Sequence, residues 1–332
     1  MRYLLVDTAN TFFRARHSAH RQSDMWDKLG FAIHITLTSV GKSWRDQSAD
    51  HVIFFLEGRS WRKDFYEPYK KNRTIARAAL TEKEAEEDQL FWEAFGNLTT
   101  FITDKTNCTV LQHPELEADD LISGWIHSHP DDHHTIISSD SDFHQLLSAN
   151  VNQYNGIADE LHTLEGIFDN RGRLVIDKKT KQPKTIPDPR WILFEKCMRG
   201  DSSDNVFSAY PGVRKKGSKK NVGLQEAFED IDSRGYAWNN IMQQEWIDHD
   251  GVKHLVRTDY ERNKTLIDLT AQPDDIKVKI SETISTNSVS KNVPMVGLHF
   301  LKFCGKYDLV KLSESATTIS VWLGATYPEK SV

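Results

Sequence analysis

Short apolar runs and helical periodicities alternate along the first half of the chain. Residues 3–6, 51–56, 108–112 and 135–139 read as strands buried in a sheet, and residues 151–154 as a fifth strand. Apolar positions at helical spacing cover residues 11–17, 29–44, 90–102 and 118–127, with a short helix at 143–147. Strands alternating with helices predict an α/β architecture around a central, mostly parallel sheet. After Tyr154 the pattern changes. Residues 157–187 are polar and hairpin-like, with a turn at Asn170-Arg171-Gly172. Residues 191–199 read as a helix. Residues 200–223 are rich in Gly, Ser, Lys and Asp, with Pro211-Gly212 marking a turn. Helical segments and polar loops then alternate to the end.

Acidic residues follow three of the expected strands: Asp7, Glu57 and Asp140. In parallel sheets ligands bind beyond the carboxyl ends of the strands, so three acids at that edge mark a candidate site.

The chain has 332 residues, 38% hydrophobic and 27% charged, which supplies a sizeable core and excludes a disordered or fibrous class. Its net charge of −6 speaks by itself against a nucleic-acid partner. The distribution reverses that reading. Arg59, Arg62, Lys63, Lys70, Lys71, Arg73 and Arg77 face only Asp64 and Glu67 within their stretch. Arg214, Lys215, Lys216, Lys219 and Lys220 form a second basic run with no acid. Basic patches beside acidic clusters suit a site that holds divalent cations and grips phosphates. No apolar run is long enough to span a bilayer, and the N-terminus reads as a first strand rather than a signal peptide. Cys108, Cys197 and Cys304 lie far apart, so no disulfide framework is expected and a reducing cytoplasm is the simplest setting.

Three motifs concentrate carboxylates. Glu117-Ala118-Asp119-Asp120 opens a helix, where one acid would serve the dipole and three repel one another unless cations intervene. Ser139-Asp140-Ser141-Asp142-Phe143 sets two acids one residue apart after a strand. Gly200-Asp201-Ser202-Ser203-Asp204-Asn205 sets two more within one turn, which would also suit Asx turns. Oxygen-rich clusters of this kind suit magnesium or manganese rather than zinc. Tyr69-Lys70-Lys71-Asn72-Arg73 lies in the first basic patch with Trp61, Phe65 and Tyr66 nearby, a mixture suited to phosphates and unpaired bases. Residues 212–219 imitate a phosphate loop, but the final Ser218-Lys219 is in the wrong order and no buried strand precedes it. His127, His129, His133 and His134 surround Pro130-Asp131-Asp132 with no cysteine nearby, and read as a solvated loop rather than a zinc site. Neither a nucleophile elbow nor a dinucleotide fingerprint is present.

Together these segments resemble the 5′ nuclease, or flap endonuclease, family, and within it the bacteriophage ribonuclease H branch. The carrying segments are Leu4-Leu5-Val6-Asp7, Trp61-Arg62-Lys63-Asp64-Phe65, Tyr69 to Arg73, and the three acidic motifs, in family order over roughly residues 1–225. The resemblance implies a PIN-like nuclease domain over residues 1–187, with a helical arch at about 61–87. A helix-three-turn-helix duplex-binding region and a tail would occupy residues 188–332. It implies two Mg2+ ions, with Mn2+ as a substitute. Asp7, Glu57, Glu117, Asp119 and Asp140 would build the first metal site. Asp120, Asp142, Asp201 and Asp204 would build or surround the second. Lys70 and Arg73 would be catalytic, holding the scissile phosphate and stabilising its developing charge. Tyr69 would stack on the terminal base. Arg62, Lys63, Lys71, Arg214, Lys215, Lys216, Lys219 and Lys220 would contact nucleic acid.

The implied activity is two-metal phosphodiester hydrolysis by a 5′→3′ exonuclease and flap endonuclease on DNA or RNA:DNA. The implied role is RNA-primer removal in lagging-strand replication, by a phage-encoded monomer in the host cytoplasm. A sliding clamp or single-strand-binding protein as partner follows from the resemblance alone. Two departures stand out. Glu57 replaces the family's usual Asp, and the loop at 210–220 is longer and more basic than the family's. A non-catalytic, structure-specific DNA-binding protein on the same scaffold is the alternative; the complete acidic set argues against it. A PIN-like ribonuclease of the toxin or RNA-processing kind would be shorter and would lack residues 61–87 and 200–223.

Overall fold

The computed structural model describes residues 1–18, 24–218 and 221–328, so Lys219 and Lys220 lie outside the described residues. The chain divides into two compact units. Residues 1–59, 80–186 and 275–332 form the first, and residues 60–79 with 187–274 form the second.

The first unit is built on a seven-stranded sheet. Its strands are β1 (Arg2–Asp7), β2 (His51–Phe55), β3 (Thr109–Leu111), β4 (His133–Ile137), β5 (Val151–Asn155), β6 (Glu160–Thr163) and β7 (Gly166–Asp169), in the order β3-β2-β1-β4-β5-β6-β7. β1 to β5 pair in parallel, and β6 and β7 extend the sheet as an antiparallel hairpin. Leu4, Leu5, Val6, Ile53, Phe54 and Phe55 are fully buried, because helices cover both faces of a parallel sheet. β1 lies between β2 and β4, with Val6 beside both Phe54 and Ile137. The chain therefore winds outward from β1 to β3, then returns to add β4 on the other side. That reversal opens a crevice at the carboxyl ends of β1 and β4.

The expected elements are present with shifted ends. The fourth strand, expected at 135–139, ends at Ile137, so Asp140 lies beyond the strand in a loop. The helix expected from Leu90 begins at Glu82. Thr81 caps it: the Thr81 N–H donates to Glu84 Oε2 at 2.9 Å while Thr81 Oγ1 accepts the Glu84 N–H. The short helix expected at 143–147 is a 3₁₀ turn, Ser141–Leu146.

Residues 188–332, expected as one domain, separate. Residues 275–332 return to the first unit. Phe300, Phe303, Trp322 and Leu323 share a hydrophobic cluster with Leu4, Val52, Phe54 and Phe101. Gly124 lets helix Ala118–Ser128 approach helix Asp274–Asn287, since a Cβ there would meet Ile280. The sheet's apolar cover is incomplete without this tail, which is why the linear boundary fails.

The second unit packs helices Pro189–Arg199, Leu224–Glu229, Tyr236–Met242 and Val256–Ile267 around Phe194, Met198, Leu224, Ile241 and Tyr260. The basic stretch contributes helices Arg62–Phe65 and Lys71–Ala78. Among the described residues, no helix is long and apolar enough to cross a membrane.

Candidate active site

The carboxyl ends of the central strands bring the first unit's acids to one edge of the sheet. Asp7 ends β1 at 4% exposure. Its Oδ2 accepts the Ser138 hydroxyl at 2.8 Å, and its Oδ1 accepts the Asn10 N–H at 3.2 Å. Ser138 Oγ in turn accepts the Asp140 N–H at 3.1 Å, and Asp140 Oδ1 accepts the Asp142 N–H at 3.0 Å. One chain of hydrogen bonds thus joins Asp7 to the loop that carries Asp140 and Asp142. Asn10 adds a second tie: its Oδ1 accepts the Ser139 N–H at 3.0 Å and the Ser139 hydroxyl at 2.9 Å.

Glu57 follows β2 and is exposed. Its Oε2 accepts the Ala118 N–H at 3.1 Å, at the start of helix Ala118–Ser128. The glycine that follows has a specific reason: a Cβ on Gly58 would collide with the His113 carbonyl oxygen. Glu117 is the N-cap of that helix and is 4% exposed. Asp120, fully buried, accepts the Glu117 N–H at 3.2 Å, so it caps the helix; Asp119 is half-buried one residue before it. Acids so placed gain from the helix dipole.

Among the described residues, no three acidic, histidine or cysteine side chains are poised together to hold an ion. The donor set still fits a hard divalent cation. It is all carboxylate oxygen, and burying Asp7 and Glu117 costs free energy unless hydrogen bonds or cations compensate. Asp7, Glu57, Glu117, Asp119, Asp120, Asp140 and Asp142 are the first unit's residues that could hold one.

His144 stands in the same turn as Asp142. Its Nε2 lies 2.9 Å from His162 Nδ1. Burial, reinforced by His162, pushes His144 down to about 4, so it is neutral at pH 7.

The second unit holds Asp201 and Asp204. Asp201 Oδ2 pairs with Lys196 Nζ at 2.8 Å, and its Oδ1 accepts the Ser203 N–H and hydroxyl at 2.8 and 2.7 Å. Gly200, at φ +77°, makes the turn, and a Cβ there would meet the Val206 carbonyl. Asp204 binds the basic stretch. Its Oδ1 accepts from Arg73 at 2.6 Å, and its Oδ2 accepts the Tyr69 hydroxyl at 2.9 Å and lies 3.6 Å from Lys70 Nζ. Lys70 has a left-handed backbone, φ 54°, held by its N–H bond to the Asp204 carbonyl at 2.8 Å.

Two expected nucleic-acid contacts are corrected by burial. Tyr69, expected to stack on a base, is 4% exposed and belongs to the second unit's hydrophobic cluster. Arg62, expected on an exposed basic face, is 1% exposed and its Nε donates to the Leu266 carbonyl at 2.8 Å. Arg62 opens helix Arg62–Phe65 and Tyr69 lies in the turn before helix Lys71–Ala78, and both side chains are turned inward. Lys63, Lys71, Arg214, Lys215 and Lys216 are exposed as a phosphate contact requires. The Gly217 N–H, next to Lys216, and the Gly223 N–H both donate to the Glu226 carboxylate, at 3.0 and 2.9 Å. A cavity of about 240 Å³ opens beside Gly217, lined by Tyr210, Gly212, Arg214, Ser218 and Asn240.

The histidine loop is also corrected. His129 and His134 are buried, not solvated; His134 Nε2 bonds the His129 carbonyl at 2.9 Å and His129 stacks on Trp125. The sequence reading missed Asn10 and Ser138. Their only signal was polarity directly beside strand-end acids, which loops show everywhere.

The chain is similar to several known proteins. A DNA polymerase I from Rhizobium leguminosarum is 29% identical over 241 residues, covering 69% of this chain and 21% of that protein. The chain thus spans about a fifth of that relative's length. The flap endonuclease of Escherichia phage T5 is 23% identical over 231 residues, covering 69% of this chain and 70% of that protein. Two solved structures of the phage T5 enzyme each cover 86% of this chain. One has divalent metal ions (zinc) bound, with a TM-score of 0.60, 20% identity and 99% of that chain covered. The other is a pseudo-enzyme-product complex with DNA and metal ions, with a TM-score of 0.57, 18% identity and 98% covered. At such identities the likeness establishes a shared PIN-like fold. The sequence model of the 5′-3′ exonuclease, N-terminal resolvase-like domain matches residues 2–173, more than half of the chain. With its strand-end acids and mainly parallel sheet, this chain belongs to the 5′-3′ exonuclease family.

Proposed function

We propose that this protein is a divalent-metal-dependent 5′ nuclease, a 5′→3′ exonuclease and flap endonuclease that hydrolyses phosphodiesters of DNA and RNA:DNA. The observation that carries the reading is the placement of Asp7, Glu57, Glu117 and Asp140 along one sheet edge in a chain of the exonuclease family. The structures of the phage T5 relative with metal ions and DNA support it.

Mg2+, with Mn2+ as a substitute, would be held by Asp7, Glu57, Glu117, Asp119 and Asp140 at one site, with Asp120 and Asp142 of the first unit and Asp201 and Asp204 of the second as further candidate ligands. Such ions, when bound, supply an acidified water and stabilise charge on the leaving oxygen. The chain's own residues do the rest. Ser138 and Asn10 keep Asp7 in register with Asp140. Lys70 and Arg73 grip phosphate oxygens. Asp204 pairs with both cations from one carboxylate. Lys63, Lys71, Arg214, Lys215 and Lys216 hold the backbone of the duplex or flap, a grip that carries no sequence information. Residues 61–87 would form the arch over a single strand, and residues 200–223 the duplex-binding element. Primer removal in replication, in a cytoplasm and as a monomer, is the role this chemistry serves; a sliding clamp or single-strand-binding protein would be its partner.

The test is cleavage of a 5′-labelled flap and of an RNA-primed nicked duplex with Mg2+, with EDTA, and with Asp140→Asn. Mg2+-dependent release of short 5′ products, lost in the variant, is expected. Tight binding of both substrates without cleavage in Mg2+ or Mn2+ would overturn the enzyme reading.

A further inference from the structure

Gln153 is a polar side chain where β5 should be apolar. It lies on the strand beside β4, paired with Ile136 on one side and His162 on the other, and is 1% exposed. Its amide nitrogen makes two hydrogen bonds to a single loop: Nε2 donates to the Ser138 carbonyl at 2.9 Å and to the Asp140 carbonyl at 2.6 Å. The loop needs them. The Ser138 N–H still bonds the Tyr154 carbonyl at 3.2 Å, but β4 ends at Ile137. The Ser138 carbonyl then sits in a buried contact and the Asp140 carbonyl in a half-buried one, and Gln153 supplies a donor to each. Gln153 Oε1 has no partner among the described residues, so the amide is oriented by its donors alone.

We propose that Gln153 is a positioning residue that sets the height of Asp140 above the sheet edge, and through it the spacing of Asp140, Asp142 and Asp7. The chain of contacts is continuous. Gln153 holds both carbonyls of the turn, the turn aims Ser138 Oγ, and Ser138 Oγ bridges the Asp7 carboxylate and the Asp140 N–H. Asp140 Oδ1 then anchors the Asp142 N–H. Glutamine suits this task. A glutamate of the same shape would turn acceptors toward two carbonyls and add a buried charge beside Asp140 and Asp7. Methionine would fill the volume and donate nothing. Groups that orient metal ligands without touching the metal usually matter 10- to 100-fold in affinity or rate, roughly the range expected here.

This inference rests on the nuclease reading, and the experiment separates the two. Mn2+ binding to the free protein, without DNA, would be measured by electron paramagnetic resonance for the wild type, Gln153→Met and Gln153→Asn. The same proteins would be assayed for kcat and KM on the labelled flap, and for thermal midpoint. Expected for Gln153→Met are Mn2+ affinity weakened on the order of 10-fold or more, a matching fall in kcat, and an unchanged KM for DNA. Gln153→Asn keeps the amide but loses a methylene of reach. It should fall between Gln153→Met and the wild type, and it carries the test if Gln153→Met does not fold. A lowered thermal midpoint with wild-type Mn2+ affinity and kcat would overturn the proposal and leave Gln153 a structural residue. Failure of the wild type itself to bind Mn2+ or cleave would instead overturn the nuclease reading.

Discussion

The Glu57 carboxylate accepts the Ala118 N–H at 3.1 Å, tying the end of β2 to the first turn of the helix that Glu117 caps. The Glu57 side chain reaches from the end of β2 to the first turn of that helix. Its extra methylene lets the acid reach a helix N-terminus, where a negative charge is favoured, while Gly58 allows the chain to pass close to His113. The acid thereby becomes part of the same rigid corner as Glu117.

Glu57→Gln keeps an acceptor for Ala118 and removes the charge. Nuclease activity in Mg2+ should fall on the order of 10- to 100-fold while the thermal midpoint stays within a few degrees. Steady-state cleavage of a labelled flap together with a melting curve checks this. Wild-type kcat in the variant would remove Glu57 from the metal set.

Asp201 lends the fold a pH dependence. Burial raises its carboxyl, but Lys196 and Ser203 outweigh burial, so its net position is below the ordinary aspartate value. A depressed carboxyl stabilises the fold above the unfolded-state pKa, about 4, and that contribution is lost as pH falls through the folded value. Asp201→Asn should therefore be less stable than wild type at pH 7, with a narrower gap at pH 3. Urea unfolding at both values reads it directly.

His51 works in the same direction over a different window. It is fully buried on β2, with Nδ1 3.1 Å from the Ala325 carbonyl and Nε2 2.8 Å from Thr109 Oγ1. Burial pushes it down to about 4, against the hydrogen bond to Ala325. The folded state then binds fewer protons than the unfolded one between about pH 6.5 and 4, so stability drops on acidification through that range. His134, also at about 4, adds to it. Replacing His51 with glutamine should flatten the fall in urea midpoint between pH 7 and pH 5; an unchanged slope would show that His51 does not titrate there.

Lys215 and Lys216 are exposed on the loop that Glu226 clamps. Each Lys→Ala change should weaken duplex binding equally for all sequences and reduce the slope of log affinity against log salt by about 1. Titrations between roughly 50 and 200 mM salt, with EDTA to suppress cleavage, measure it. An unaltered slope would place these lysines off the DNA path.

Element order and the acids at the strand ends were legible along the chain. Buried parallel strands announce themselves as apolar runs, and β1, β2 and β4 each lead into an acid. The acidic motifs and basic stretches were legible from local charge, because several carboxylates close together in sequence repel one another unless cations or donors lie between them. The start of helix Glu82–Lys105 was also written in the sequence, as the Thr81-Glu82-Lys83-Glu84 capping box, a signal stronger than the apolar spacing that pointed to Leu90.

Other features depended on which surface each segment meets. Tyr69 and Arg62 look like ligands for nucleic acid by composition, yet the second unit buries both, Tyr69 in its hydrophobic cluster and Arg62 on the Leu266 carbonyl, because distant segments pack against them. His129 and His134 look like loop residues until Trp125 and Tyr3 close around them. The return of residues 275–332 to cover the sheet has no local signature, because burial of Phe300 and Trp322 against Leu4 and Phe54 joins segments far apart in the chain. Gln153 shows the same limit at the scale of one side chain. A glutamine in a strand is unremarkable until the end of β4 leaves two carbonyls beside it. Residue type and spacing determine which chemistry is available; long-range packing decides which side chains face it.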